Sequence, residues 1–230
     1  MPNPLITVKV GPTHEPFILH RHVLTNVSAH FHSMLHPAYP IEEPSTIELS
    51  KTTPRVFRVV MDFLYYSRLP VYCWGDDDAP LDEKRWDNWN DLMITLAIFG
   101  HKYSIPALSD ALFDLYFSTH VEHAQEERYL LPDDETLSRA CESLPRSSPI
   151  VQFLVDLCAQ LVGDDVEAVE EGLGEASESF VKLVVAAKRR LLRNAGEQLK
   201  VRFDACSYHE HVTVEHRCRR ASVEEWVICA

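Results

Sequence analysis

The spacing of apolar residues along the first fifty positions constrains the fold most. Apolar residues first repeat every second residue, as in a strand, then with the period of a helix, and then again every second residue. "LITVKVG" alternates apolar with polar residues, and "PFILH", after the turn "PTHE", places Phe17 and Leu19 on one face, which together predict a β-hairpin. "STIEL" predicts a further short strand. Between them one amphipathic helix is predicted to end before Pro37 and Pro40, with its apolar face formed by Val23, Leu24, Val27, Phe31, Met34 and Leu35.

The following segments predict mainly helices. In "TTPRVFRVVMDFLYY", Thr53 suits the N-cap and Pro54 the first helical position. Residues 70–90 combine charge, Pro and Gly, which predicts a surface loop or insertion. "DLMITLAIFGHKYSIPALSDALFDLYF" predicts two helices, and three more are expected in "LPDDETLSRACESL", "SSPIVQFLVDLCAQL" and "SFVKLVVAAKRRLLRNAGEQLKVRF". Acidic residues 163–178 predict a linker or frayed helix.

Charge and composition narrow the classes of partner. Lys and Arg total 22 against 35 Asp and Glu, so the formal net charge is -13. This field repels a phosphate backbone, and we expect basic or neutral protein partners rather than nucleic acid. No apolar stretch approaches the roughly 18 residues of a membrane span. "MPNPLITVKV" lacks the pattern of a signal peptide, so the six cysteines are expected to be mostly reduced in an intracellular, cytoplasmic or nuclear protein.

Five of the twelve histidines lie in "HRHVLTNVSAHFHSMLH". His32 and His36 share a helix face, but a metal site needs three or four converging ligands and no third one is evident. Ser33 also stands where a zincin motif has its catalytic glutamate. We therefore interpret these histidines as unliganded, with His20 anchoring the junction between strand and helix through a hydrogen bond.

The segment "CSYHEHVTVEHRC" is the better metal candidate, because thiolate and imidazole ligands suit zinc. Its spacing is shorter than that of a zinc finger, and a polar terminal strand with ordinary thiols is the alternative. A zinc-dependent enzyme is disfavoured, since no general base accompanies the ligands. Cys141 and Cys158 lie on apolar helix stripes and are predicted core residues. The candidate zinc ligands are Cys206, His209, His211 and Cys218.

Three of the four tryptophans, Trp74, Trp86 and Trp89, lie within residues 70–90. Large aromatic residues in a polar segment are enriched at interaction surfaces. They also fold back to cover the base of their own loop, since aromatic residues serve both roles. The sequence leaves both interpretations open.

Four stretches in order, "VKVG", "FILHRHVLTNVSAHFHSML", "TIELSKTTPRVFRVVMDFLYY" and "LAIFGHKYSIPALSDAL", resemble the successive signatures of a BTB/POZ domain over residues 5–118. "SSPIVQFLVDLCAQ" resembles the C-terminal helical part of short fungal-type BTB proteins. The resemblance implies an α+β fold, with helical hairpins flanked by a small, mostly three-stranded sheet. A helical extension is expected at 119–162, and an acidic linker, basic helix and Cys/His-containing tail at 163–230. The family's junction histidine and serine correspond to His20 and Ser28.

The resemblance implies protein–protein interaction rather than catalysis. Our first hypothesis is an adaptor that recruits partners to a cullin-type ubiquitin ligase. The family's cullin-contacting hydrophobic-x-Glu element is matched in "AYPIEEP". The residues expected to contact the cullin are Ile41, Glu43, Tyr65, Tyr66 and Tyr103.

The second hypothesis is a self-associating scaffold, or a component of a transcription-related complex, without a ligase role. Family dimers often use an extra helix before the first strand. Here the first strand begins close to Met1, so we expect the usual homodimer contact not to form. The separate substrate-binding module of many cullin adaptors is also not evident in the sequence.

Overall fold

The computed structural model describes residues 4–36, 45–69, 83–125, 131–162 and 165–194, together with 202–203, 208 and 226–227. The chain divides into two compact units, Met1–Leu112 and Phe113–Ala230. Each unit has its own set of buried apolar side chains.

The first unit begins with the predicted hairpin, which the structure confirms. Strand β1 (Leu5–Val10) pairs antiparallel with β2 (Glu15–His20), and β3 (Thr46–Leu49) lies parallel on the other side of β1. The sheet order is β2-β1-β3. Alternate side chains of all three strands point into the core, and these are Ile6, Val8, Val10, Phe17, Leu19, Ile47 and Leu49.

The helix predicted to follow the hairpin is two helices, α1 (Arg21–Thr25) and α2 (Ala29–Leu35). The prediction of one helix was wrong because Ser28 starts a second one, by accepting a hydrogen bond from the amide of Phe31 at 3.0 Å. Met34 was placed on the buried face but is 40% exposed. It lies about 100° around the helix from Leu35, which points to the core.

Helix α3 (Pro54–Tyr66) begins as predicted. The Thr53 hydroxyl oxygen accepts a hydrogen bond from the Val56 amide at 3.4 Å. Helix α4 (Glu83–Lys102) includes residues 83–90, where a surface loop was expected. This part of the prediction was wrong because Trp86 and Trp89, three residues apart in sequence, lie on one helix face and are buried. The charged residues next to them in the sequence hide this apolar face. Helix α5 (Pro106–Gln125) follows, and the division between the units falls within it.

A continuous series of aromatic contacts joins the sheet of the first unit to its helices. The Phe17 and Phe57 ring centroids lie 5.0 Å apart, and Phe57 lies 6.4 Å from Phe99. Phe99 contacts Tyr103 at 4.4 Å, and Tyr103 stacks on Phe31 at 5.0 Å. These rings come from β2, α3, α2 and α4 together with the residue that follows α4, so four elements share one dry interior. Eight apolar residues from the strands and helices of this unit are all buried: Val8, Phe17, Leu24, Phe31, Phe57, Phe63, Leu96 and Leu112.

The second unit is mainly helical. It contains α6 (Asp134–Ser143), α7 (Pro149–Leu161), α8 (Val166–Gly172) and α9 (Glu178–Asn194). Two-residue strands β4 (Arg202–Phe203) and β5 (Trp226–Val227) pair antiparallel. The acidic stretch expected to be a linker or frayed helix thus contains α8, whose first turn is capped by Asp165.

Ser28 joins two helices of the first unit, since its hydroxyl also donates to the carbonyl of Tyr103 just after α4. We expect Ser28→Ala to lower the free energy of unfolding by about 2 kcal/mol, because it removes a helix cap and leaves a buried carbonyl without a donor. Urea unfolding followed by circular dichroism measures this. Ser33→Ala, on the exposed side of α2, is the matched control and should change stability by less than about 0.5 kcal/mol. Equal effects of the two substitutions would contradict the assigned role of Ser28.

Candidate functional site

The junction between β2 and α1 is held by a side chain that is 45 residues away in sequence. His20 occupies the N-cap position of α1, and its backbone amide donates to the Tyr65 hydroxyl at 3.1 Å. The same hydroxyl lies 3.0 Å from Nδ1 of His20. Since the hydroxyl accepts from the amide, it can donate its own hydrogen to Nδ1. His20 therefore makes a hydrogen bond at the junction, and its partner comes from the end of α3.

The tyrosines predicted to contact a partner fall into two environments. Tyr65 and Tyr66, in the last turn of α3, are 42% and 68% exposed. Tyr103 is buried, and its ring lies 10° from parallel with that of Phe31, so it belongs to the core rather than to an exposed surface. We call Tyr65 and Tyr66 the tyrosine surface. Ile41 and Glu43, which complete the predicted contact, lie outside the described residues.

The outer face of the sheet carries two further exposed apolar side chains. Leu5 on β1 is 58% exposed and Ile18 on β2 is 67% exposed. The two strands place Leu5 opposite His20 and Ile18 opposite Thr7, so the apolar residues are diagonal neighbours. We call Leu5 and Ile18 the outer sheet surface, which is a second exposed apolar area of the first unit.

The free edge of β2 is poorly suited to pairing with another strand. The amide of Arg21 donates inward to the carbonyl of Pro4, so by alternation the amides of His20 and Ile18 point away from β1. The His20 amide is bonded to Tyr65, and Pro16 has no amide hydrogen. Only the Ile18 amide of these three remains as a donor for an added strand, which weakens this edge as a site for strand pairing.

The comparison with known families identifies this part of the chain. A family model described as the BTB/POZ domain matches residues 6–116. The chain contains a BTB/POZ domain. The matched BTB domain contains the three-stranded sheet, the hydrogen-bonded junction and the tyrosine surface, and its α+β architecture is the one that the sequence predicted. A BTB domain is a module for protein–protein interaction, and that is the activity of this region. No curated protein matches the chain.

Four histidines of the BTB domain form two pairs. The rings of His32 and His36 lie 4.9 Å apart between centroids, on the shared face that the sequence predicts. Those of His20 and His22 lie 5.8 Å apart. Within the described ranges, no group of three or more His, Cys, Asp or Glu residues is arranged to hold a metal ion. The candidate zinc ligands lie outside those ranges and remain a prediction: Cys206, His209, His211 and Cys218.

The cysteines of α6 and α7 lie in environments that suppress their reactivity. Cys158 is fully buried, and burial raises the pKa of its thiol to about 12, with a smaller contribution from the charge of Asp134. Burial also raises the pKa of Cys141, which is half-buried in α6. Because the thiolate is the nucleophilic form, both environments disfavour nucleophilic chemistry. They match the predicted role of these residues in packing.

The tryptophans of α4 belong to the core of the BTB domain. Trp86 and Trp89 are buried, with ring centroids 5.1 Å apart. Of the two interpretations that the sequence left open, their burial fits packing against the chain's own interior and not an exposed partner surface. Trp74 lies outside the described residues. In the part of the chain that the structure describes, no helix combines the length and apolar character needed to cross a bilayer.

The Tyr65 hydroxyl gives the junction a test. We expect Tyr65→Phe to accelerate hydrogen exchange at the His20 amide about fivefold, because the lost hydrogen bond contributes about 1 kcal/mol to local stability. Exchange can be followed by nuclear magnetic resonance. Tyr66→Phe removes a hydroxyl from the adjacent residue and should leave the His20 amide unchanged. An unaltered rate in Tyr65→Phe would show that this bond does not protect the junction.

Proposed function

We propose that this BTB/POZ domain protein is a non-catalytic adaptor that recruits partners to a cullin-type ubiquitin ligase. The observation that carries the proposal is the exposure of Tyr65 and Tyr66 at the end of α3, a helix whose other face is buried. These two residues are among those that the adaptor hypothesis places in contact with the cullin. The proposal places the adaptor in the cytoplasm or nucleus, where such a ligase would act.

The environment of the tyrosine surface supports a role in binding. Tyr residues provide large rigid contact areas with a polar tip, and they are enriched among the residues that dominate binding energy. Tyr65 is held in place by His20, so part of the entropic cost of ordering it is already met before a partner binds. Tyr66 presents the larger exposed fraction and is therefore the expected anchor.

The proposed non-catalytic character rests on the BTB domain itself, since such domains are interaction modules. The raised pKa values of Cys141 and Cys158 support it, because neither thiol is set up as a nucleophile. Ile41 and Glu43 would supply the hydrophobic-x-Glu contact that the resemblance implies. They would bind the cullin together with the tyrosine surface.

The adaptor proposal predicts a specific loss of cullin binding. We expect Tyr66→Ala to weaken binding to a purified cullin about thirtyfold, equivalent to about 2 kcal/mol for an aromatic anchor. Glu43→Ala should also weaken binding, whereas Glu48→Ala, an exposed glutamate on β3, should not. Isothermal titration calorimetry measures the affinities. No binding by the wild-type chain, or equal effects of the two glutamate substitutions, would rule against the adaptor role.

Self-association is a second candidate, favoured by the outer sheet surface. Two exposed apolar side chains on one sheet face are a common feature of docking surfaces. We expect Ile18→Glu to dissociate any such assembly and so to lower its measured mass, because a charge would be buried at the contact. Ser33→Glu is the control, since it adds the same charge on the exposed side of α2 and not on the sheet. Light scattering across a concentration series measures the mass, and a constant monomer mass for the wild type would exclude this candidate.

A further inference from the structure

A groove of about 800 Å³ lies between α7 and α9 in the second unit. Its apolar lining comes from both helices and includes Val155, Leu183 and Ala187. Ala186, also in the lining, is exposed. The two helices have 13 and 17 residues, so their facing lengths are about 20–25 Å. The groove therefore offers an elongated, partly apolar surface.

The groove is bordered by positive charge although the chain as a whole has a net charge of -13. Arg146 precedes α7, and Arg190 and Arg193 lie near the end of α9. Among the described lining residues, Asp156 is the one acidic side chain. Asp156 is already engaged, because it accepts a hydrogen bond from Tyr208 at 3.0 Å and lies 3.5 Å from Arg190. The remaining charge of the groove is positive, which suits an acidic occupant.

Two further residues, Tyr208 and Gln160, line the groove. The ring of Tyr208 packs against Phe113 and Phe153 at centroid distances of 5.6 and 5.9 Å, which holds the Tyr208 hydroxyl against Asp156. Gln160 also lines the groove, and its buried Nε2 has no hydrogen-bond partner in the described part of the chain.

We propose that the α7–α9 groove binds an acidic amphipathic helix of a partner protein. An apolar floor between two helices takes the apolar face of a third, with anchors recurring every three to four residues. Acidic residues flanking that face would meet Arg146 and Arg193, which Asp156 does not engage. The inference rests on the proposed adaptor function in one respect: the bound helix would be the substrate's docking segment, which supplies the recognition that a separate module provides in other adaptors.

The probe is a displayed library of helical peptides of about four turns. Their apolar positions follow the helical repeat, and each other position is Glu, Gln or Lys in equal proportion. Selection on the immobilised full chain should enrich Glu over Lys. The best selected peptide should then bind Arg146→Gln/Arg193→Gln at least about tenfold more weakly than wild type, a loss expected for two charged contacts. The matched control, Lys182→Gln/Arg189→Gln, loses the same charge from α9 outside the groove and should bind within about twofold of wild type.

A second pair of variants tests the position of the binding site independently of charge. Ala186→Trp places a large side chain in the groove and should abolish peptide binding, whereas Ala186→Ser should not. Circular dichroism of each variant verifies that the helices are intact. Enrichment of Lys, no enrichment, equal loss in the Lys182→Gln/Arg189→Gln control, or full binding by Ala186→Trp would each overturn the proposal.

Other occupants give different results. If a second copy of the chain occupies the groove, the wild type should form an oligomer that Ala186→Trp dissociates. If the chain's own residues 209–230 occupy it, a synthetic peptide of that segment should displace the selected peptide. Either result would overturn binding of a partner helix. Failure of the adaptor function is separable, because cullin binding should be unchanged in Arg146→Gln/Arg193→Gln. If the chain selects acidic helices but does not bind the cullin, the groove proposal stands and the ligase role is excluded.

Discussion

Two hydrogen bonds made by the buried side chain of Ser28 determine how the first unit is assembled. Its oxygen accepts from the amide of Phe31 and its hydroxyl donates to the carbonyl of Tyr103. The first bond starts α2 and sets the direction in which Phe31 points, while the second ties that helix start to the residue just after α4. The rings of Phe31 and Tyr103 then stack at 5.0 Å. A polar contact thus positions an apolar one, and the energy of both depends on exclusion of water.

The exposed features of the BTB domain follow from this interior. Tyr103 contacts Phe99, and Phe99 contacts Phe57 of α3, so the buried face of α3 is set by the same aromatic series. With that face fixed, the last turn of α3 must project Tyr65 and Tyr66 outward. Tyr65 then reaches back to His20 and closes the junction between β2 and α1. Tyr65 is therefore held in place before any partner binds, which suits the contact site that we propose.

Local spacing predicted the strands, α3 and α7 because their apolar residues repeat with the period of the element. It failed where the determining partner is distant or the apolar signal is sparse. The break before α2 depends on Ser28 and Tyr103, which are 75 residues apart, and the first turns of α4 show only two buried tryptophans among charges. Tyr65 and Tyr66 were predicted as contact residues because the adaptor hypothesis places this helix end near the hydrophobic-x-Glu element. The α7–α9 groove has no motif, because its lining comes from separated segments that only folding brings together.

The charge of the chain and the charge of the groove act over different distances. At physiological salt an exposed charge is largely screened beyond about 8 Å, so a bound acidic helix would interact with Arg146 and Arg193 rather than with the net charge of -13. Before contact, the net negative field repels an acidic partner and lowers its rate of association with most of the surface. Attraction confined to one arginine-lined groove therefore favours a single orientation over nonspecific binding. Arg190 contributes less to this attraction because it is already close to Asp156, whose position is in turn held by Tyr208.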